Sequence, residues 1–217
     1  MTREILAPAR VHGRILLHDS GATEGSLRLL VGFHGYAQNA DEILAELRSI
    51  PGHEGWTLVA VQALNRFYRG RTKVTVANWM TRQDRARQIA DNVAYVDTAV
   101  DAAAAGRPVS ALVYCGFSQG VAMAFRAALL GRRQADAVLA LGGDVPPELL
   151  ADPSLRFPRV VLSAGTRDEF YTPARLAADA AALSSRSVQV ETVAFDAGHV
   201  WDDAFRRRAA ALLRTIR

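Results

Sequence analysis

The chain has 217 residues, half of them hydrophobic and 22% charged, which bounds it to a soluble globular protein read as one domain over 1–217. Its net charge of +4 comes with arginines along the whole chain, densest at Arg206-Arg207-Arg208 in an expected terminal helix, and with no nucleic-acid-binding module, so a nucleic-acid partner is not expected. The single cysteine, Cys115, excludes an internal disulfide and a cysteine-based metal site. The start, Met1 to Arg10, lacks an apolar signal core, and no run is long enough to span a bilayer, so the expectation is a cytoplasmic protein without stable membrane insertion.

In chain order, Arg14–His18 predicts a short strand, 20–26 a Gly/Ser turn, and Leu27–Phe33 a strand ending in His34-Gly35. Ile43, Leu44 and Leu47 share one helix face within 41–50, and Pro51-Gly52 closes that helix. A buried strand is expected over 56–63. The polar and aromatic stretch 65–80 has no clear period and reads as an irregular loop, the sort of segment that walls a pocket. Ile89, Val93, Val96 and Val100 set a helix within 82–105, stopped by Gly106-Arg107-Pro108. Strands follow at 109–115, Ala137–Leu141, 159–164 and 187–195, with helices opening after Gly120 and over 173–183 and 201–216.

Strands alternating with helices require crossover connections. They imply an α/β fold with a mainly parallel sheet and helices on both faces, which gathers ligands at the carboxyl ends of the strands. His34, Ser118, Asp144 and Asp168 all fall at such ends.

Gly116-Phe117-Ser118-Gln119-Gly120 stands between a strand and a helix, the setting of a nucleophile elbow; the competing reading is a glycine-flanked turn whose serine caps a helix. A serine hydroxyl needs a base to react at neutral pH. Of His12, His18, His34, His53 and His199, only His199 follows a strand downstream of the serine and the candidate acids, so it is the expected general base. Asp168 is the favoured acid, with Asp144 the alternative; Asp196 lies too near His199 in sequence. Backbone N–H groups of Tyr36 and Gln119 are the expected oxyanion donors, and His34 reads as a packed, hydrogen-bonded structural residue. Phe67, Tyr68, Trp79, Phe170 and Tyr171 are expected to line the acyl or alcohol pocket.

The segments F-H-G-Y at 33–36, G-F-S-Q-G at 116–120, G-T-R-D-E-F-Y at 165–171 and G-H at 198–199 make the chain resemble the phospholipase/carboxylesterase family of α/β-hydrolases, which includes acyl-protein thioesterases and small bacterial carboxylesterases. The resemblance implies a cofactor-free, metal-free esterase without a large cap domain, with Ser118, Asp168 and His199 as triad and Tyr36 and Gln119 as oxyanion donors. It implies a small or amphiphilic ester as substrate, with thioesters and lysophospholipids as finer candidates. Two places depart from the family pattern: Asn78-Trp79-Met80 replaces a Trp-Phe-Asp-like segment, and Tyr36-Ala37-Gln38 replaces Leu-Gly-Asp. Both fall on substrate-facing loops. The alternatives are a serine peptidase of the same fold and a non-catalytic relative that binds a ligand or partner; the oligomeric state stays open, a homodimer included.

Overall fold

A computed structural model describes residues 1–19 and 25–216. Seven strands form the main sheet: β1 (Arg14–His18), β2 (Leu27–Phe33), β3 (Thr57–Gln62), β6 (Val109–Phe117), β7 (Ala137–Leu141), β8 (Arg159–Gly165) and β9 (Val190–Phe195). Their order across the sheet is β1-β3-β2-β6-β7-β8-β9; β1 runs antiparallel to β3 and every other pairing is parallel. β3 and β7 are buried along their whole length and β2 and β6 nearly so, because helices cover both faces, which is why these strands read as continuous apolar runs.

Helices α2 (Arg85–Ala104), α3 (Gln119–Leu130) and α5 (Pro173–Ser185) pack on one face, burying Val96, Val121, Phe125 and Leu183 against Leu29, Tyr114 and Leu162. Helices α1 (Ala40–Arg48) and α6 (Asp203–Leu213) cover the other, where Ile43, Leu47 and Phe205 meet Leu30, Leu58 and Leu139. Local signals fix the helix starts. Asn39 and Glu42 form a reciprocal capping box on α1, Thr172 caps α5 ahead of Pro173, and Asp202 caps α6. Among the described residues no helix is long and apolar enough to cross a membrane.

The stretch 65–80 is not the irregular loop expected of it. Asn65–Tyr68 (β4) and Thr75–Asn78 (β5) pair antiparallel into a small hairpin, turned through positive φ at Gly70 and Lys73. Four-residue strands are too short for alternation to register in the sequence. The short helix α4 (Pro147–Ala151) was also not anticipated; it starts where Pro147 takes a first-turn position that needs no N–H donor. The turn expected over 20–26 falls mainly on residues outside those described.

Candidate active site

The carboxyl ends of β6, β7, β8 and β9 meet at Ser118. This residue sits between β6 and α3 with φ 54° and ψ −122°, a conformation that costs a non-glycine residue about 1–3 kcal/mol. The surroundings hold it there: Ser118 N–H donates to Leu141 O at 2.9 Å and Ser118 O accepts from Val121 N–H at 3.0 Å. The flanking glycines are required by close approach. A Cβ on Gly116 would lie 2.5 Å from Gly120 O, and one on Gly120 would lie 2.1 Å from Phe33 O. The start of α3 therefore rests directly on the end of β2.

His199 follows β9 and its Nδ1–H donates to Asp168 Oδ2 at 2.7 Å. The carboxylate only accepts, which fixes the proton on Nδ1 and leaves Nε2 as the acceptor. Asp168 Oδ1 accepts the N–H groups of Phe170 and Tyr171, both at 2.9 Å, so the turn after β8 orients the carboxylate before the imidazole reaches it. The Asp168 side chain is 1% exposed and that of His199 18%. The imidazole lies between Phe117, at 4.9 Å, and Phe170, at 5.0 Å between ring centroids. No hydrogen bond joins Ser118 Oγ to His199 Nε2; such contacts are often long until a substrate is bound. Asp144, the alternative acid, is exposed and paired with Arg175 at 3.3 Å, and Asp196 is exposed and paired with Arg167. Geometry brings Asp168 to the histidine, and neither of the others.

The loop after β2 is pinned at almost every backbone group. Gly35 N–H donates to Gln38 Oε1 at 2.7 Å, Gln38 N–H to Gly35 O at 3.2 Å, and Ala37 N–H to Ala77 O at 3.1 Å. Tyr36 N–H has no acceptor among the described residues. Gln119 is the first residue of α3, where a backbone N–H has no partner within the helix. Its side chain accepts from Trp79 N–H at 2.9 Å and donates to Met80 O at 3.1 Å. His34 is fully buried, with Nδ1–H donating to Gly35 O at 2.7 Å and Nε2 accepting from Ala63 N–H at 3.1 Å. Burial lowers its pKa and keeps the ring neutral.

The five aromatic residues expected in the pocket divide. Phe170, beside the His199 ring, and Tyr68 are exposed, 70% and 67%, and Phe67 is half-buried against the Tyr36 ring at 5.6 Å. Trp79 and Tyr171 do not line a pocket. Trp79 is fully buried, edge-on to Phe33, with Nε1–H donating to His34 O at 2.9 Å; Tyr171 is 1% exposed and its hydroxyl donates to Asp179 Oδ2 at 2.9 Å. Both have a polar atom with a partner, buried His34 for Trp79 and half-buried Asp179 for Tyr171, and that satisfies them as struts beneath the site. Sequence reading passed over Asp179, and it gave Gln38 only as part of a substrate-facing loop rather than as the brace of Gly35. Asp179 also accepts from Val145 N–H at 2.9 Å, so it ties the loop after β7 to the turn that carries Asp168. Its burial raises its pKa. The available signal was a lone carboxylate in the alanine-rich run L-A-A-D-A-A-A-L.

Two grooves, about 440 and 490 Å³, open at the amino ends of the strands, one beside Ser110 and Asp136 and one beside Phe157 and Ser187; Ser118 and His199 border neither. Among the described residues no cluster of three His, Cys, Asp or Glu side chains stands ready to hold a metal ion.

A mainly parallel sheet, helices on both faces and a strained serine between strand and helix define an α/β-hydrolase fold, without a large cap among the described residues. The profile of the phospholipase/carboxylesterase family matches residues 74–214, and the chain belongs to that family. Its fold is similar to that of esterase PE8, at 22% identity and TM-score 0.70 over 96% of this chain and 100% of that one. It is similar to the Zea mays acyl-protein thioesterase 2, at 16% and 0.71 over 94% and 99%, and to the Mesorhizobium loti carboxylesterase, at 22% and 0.69 over 93% of each chain. No curated protein sequence matches the chain.

Proposed function

We propose that the protein is a serine carboxylesterase that hydrolyses small or amphiphilic carboxylic esters through an acyl-serine intermediate. The observation that carries this reading is the 2.7 Å Nδ1–H to Asp168 bond of His199, set beside the positive-φ turn at Ser118. Ser118 Oγ adds to the ester carbonyl as His199 Nε2 takes its proton, and Asp168 stabilises the imidazolium. The N–H groups of Tyr36 and Gln119 hold the oxyanion. Collapse of the tetrahedral species breaks the bond to the alcohol oxygen, which receives the proton from His199. Water then repeats the sequence on the acyl-serine and releases the acid. The rim at Phe67, Tyr68 and Phe170 supplies apolar contact for the substrate, and the acyl length and the choice between ester and thioester are set there. The activity belongs to a single cytoplasmic domain and requires no cofactor.

A fluorophosphonate probe tests the reading. Labelling of wild type and its loss in Ser118→Ala are expected; labelling that survives the substitution refutes the nucleophile, and absence of labelling in wild type favours a non-catalytic binder. Turnover of p-nitrophenyl esters of rising chain length, beside a matched thioester series, resolves the substrate class.

A further inference from the structure

Arginines occur along the whole sequence, but the excess charge does not. Residues 65–83 contain Arg66, Arg69, Arg71, Lys73 and Arg82 with no aspartate or glutamate, and Lys73 is the sole lysine of the sequence. Five cations there, against a net charge of +4 for the chain, leave the remainder slightly acidic.

The fold fixes this basic segment to the loop that carries Tyr36. Ala77 N–H donates to Gln38 O at 2.9 Å, and the Arg69 guanidinium reaches Ala37 O at 2.6 and 3.1 Å. Arg69 also grips Glu42 at 2.8 and 3.0 Å, so that carboxylate is neutralised and Arg69 is committed to anchoring. The hairpin tip is closed by its own bonds: Arg69 N–H to Val74 O at 2.9 Å, Thr72 N–H to Arg69 O at 3.2 Å and the Thr72 hydroxyl to Arg69 O at 2.6 Å. On that fixed turn Arg71 and Lys73 are exposed and have no ion pair among the described residues. The hairpin meets the Tyr36 loop through side chains as well, Phe67 lying against the Tyr36 ring at 5.6 Å, and Tyr36 itself is 62% exposed. The opposite rim has no such excess: Asp144 pairs with Arg175, Asp196 pairs with Arg167, and Glu169 adds an exposed carboxylate. The cleft is polarised, positive on the Tyr36 side.

We propose that the ester attacked at Ser118 carries an anionic group, a carboxylate or a phosphate, which docks at Arg71 and Lys73 while Tyr36, Phe67 and Tyr68 hold the carbon skeleton between the two. This rests on the esterase reading. Exposed cations contribute little to a static ion pair, but a basic patch beside a cleft raises capture of an oppositely charged ligand, by up to about tenfold, and salt erodes the gain.

The test compares two esters with the same leaving group and acyl length, p-nitrophenyl butyrate and mono-p-nitrophenyl succinate, through the ratio of their kcat/KM values. The ratio of anionic to neutral ester is expected to fall about fivefold in wild type between low and high salt. It is expected to fall about tenfold in Arg71→Glu/Lys73→Glu at low salt, with Arg71→Gln/Lys73→Gln between. Sedimentation with phosphatidylglycerol against phosphatidylcholine vesicles separates the two sources of the anion. A ratio effect without vesicle binding places it on a free substrate; vesicle binding lost on charge reversal places it on a lipid headgroup. A ratio indifferent to salt and to both variants, together with no vesicle preference, overturns the proposal. Failure of the underlying reading is separately visible, because turnover of the neutral ester would then survive Ser118→Ala.

Discussion

Replacing Asp168 by asparagine isolates one atom of the proposed mechanism. The carboxylate accepts three hydrogen bonds, two on Oδ1 from Phe170 and Tyr171 and one on Oδ2 from His199. An asparagine retains the first two through its carbonyl oxygen, since the reverse orientation would aim its NH2 group at both backbone N–H groups. The NH2 group must then face His199 Nδ1, which has to accept. The imidazole proton moves to Nε2, the position from which Ser118 must be deprotonated. A wrong tautomer of this kind costs on the order of 10⁴ in kcat, or about 5.5 kcal/mol in the barrier. Because the turn after β8 keeps its bonds, the melting temperature should fall by only about 4 °C or less, the equivalent of roughly 1 kcal/mol for a chain of this size. The assay is kcat and KM for a p-nitrophenyl ester, with thermal unfolding followed by circular dichroism. Retention of more than about a tenth of wild-type kcat, or a larger loss in Asp144→Asn, would refute the assignment.

Gly120→Ala places a methyl group against the Phe33 carbonyl and should cost about 3 kcal/mol or more, a drop of roughly 6 °C or more in melting temperature; an unchanged melting temperature would contradict the close approach. His34 is held neutral by burial, its folded pKa below the unfolded value of 6.5, so the unfolded chain takes up the proton first as pH falls. The stability it contributes is complete above about pH 6.5 and declines below it, by up to about 1.4 kcal/mol per pH unit. His34→Gln should flatten that slope between pH 7.5 and 5.5 in urea unfolding, and an unaltered slope counts against it. Trp79→Phe should lower stability by about 2–4 kcal/mol while leaving the ester-length preference intact. Phe170→Ala should do the reverse, and a length preference that follows Trp79 instead would restore it to the pocket wall.

The main sheet was readable because its central strands are buried on both faces and its helices carry one apolar stripe each: β2, β7 and the turn at Ser118 stand where their patterns put them. The hairpin was not readable. Its order comes from Ala77 bonding to the Tyr36 loop and from Arg69 gripping Ala37, contacts between residues some 30 to 40 positions apart that leave no local period. A similar distance hid the role of Trp79, whose partner His34 lies 45 positions back, while Tyr171 bonds Asp179 only 8 positions on, inside the next helix. An aromatic residue in a loop near the nucleophile looks alike whether it faces the cleft or lies under it, and only the partner of its polar atom distinguishes the two. Asp168 was legible as a strand-end acid, while Asp179, one helix away, needed the fold to bring Val145 and Tyr171 to it.

Gln119 joins two parts that an engineer would want to vary separately. Its backbone N–H is the proposed oxyanion donor, while its carboxamide clasps both Trp79 N–H and Met80 O, and Asn92 holds Trp79 O from beneath at 2.6 Å. Any redesign that reshapes the 79–80 strand exit drags on the residue after the nucleophile, so retuning selectivity there would be charged against turnover. Variation at Tyr68 and Arg71 has no such tether. The chain thus divides its cleft into a locked half and an evolvable half, and laboratory diversification belongs on the second.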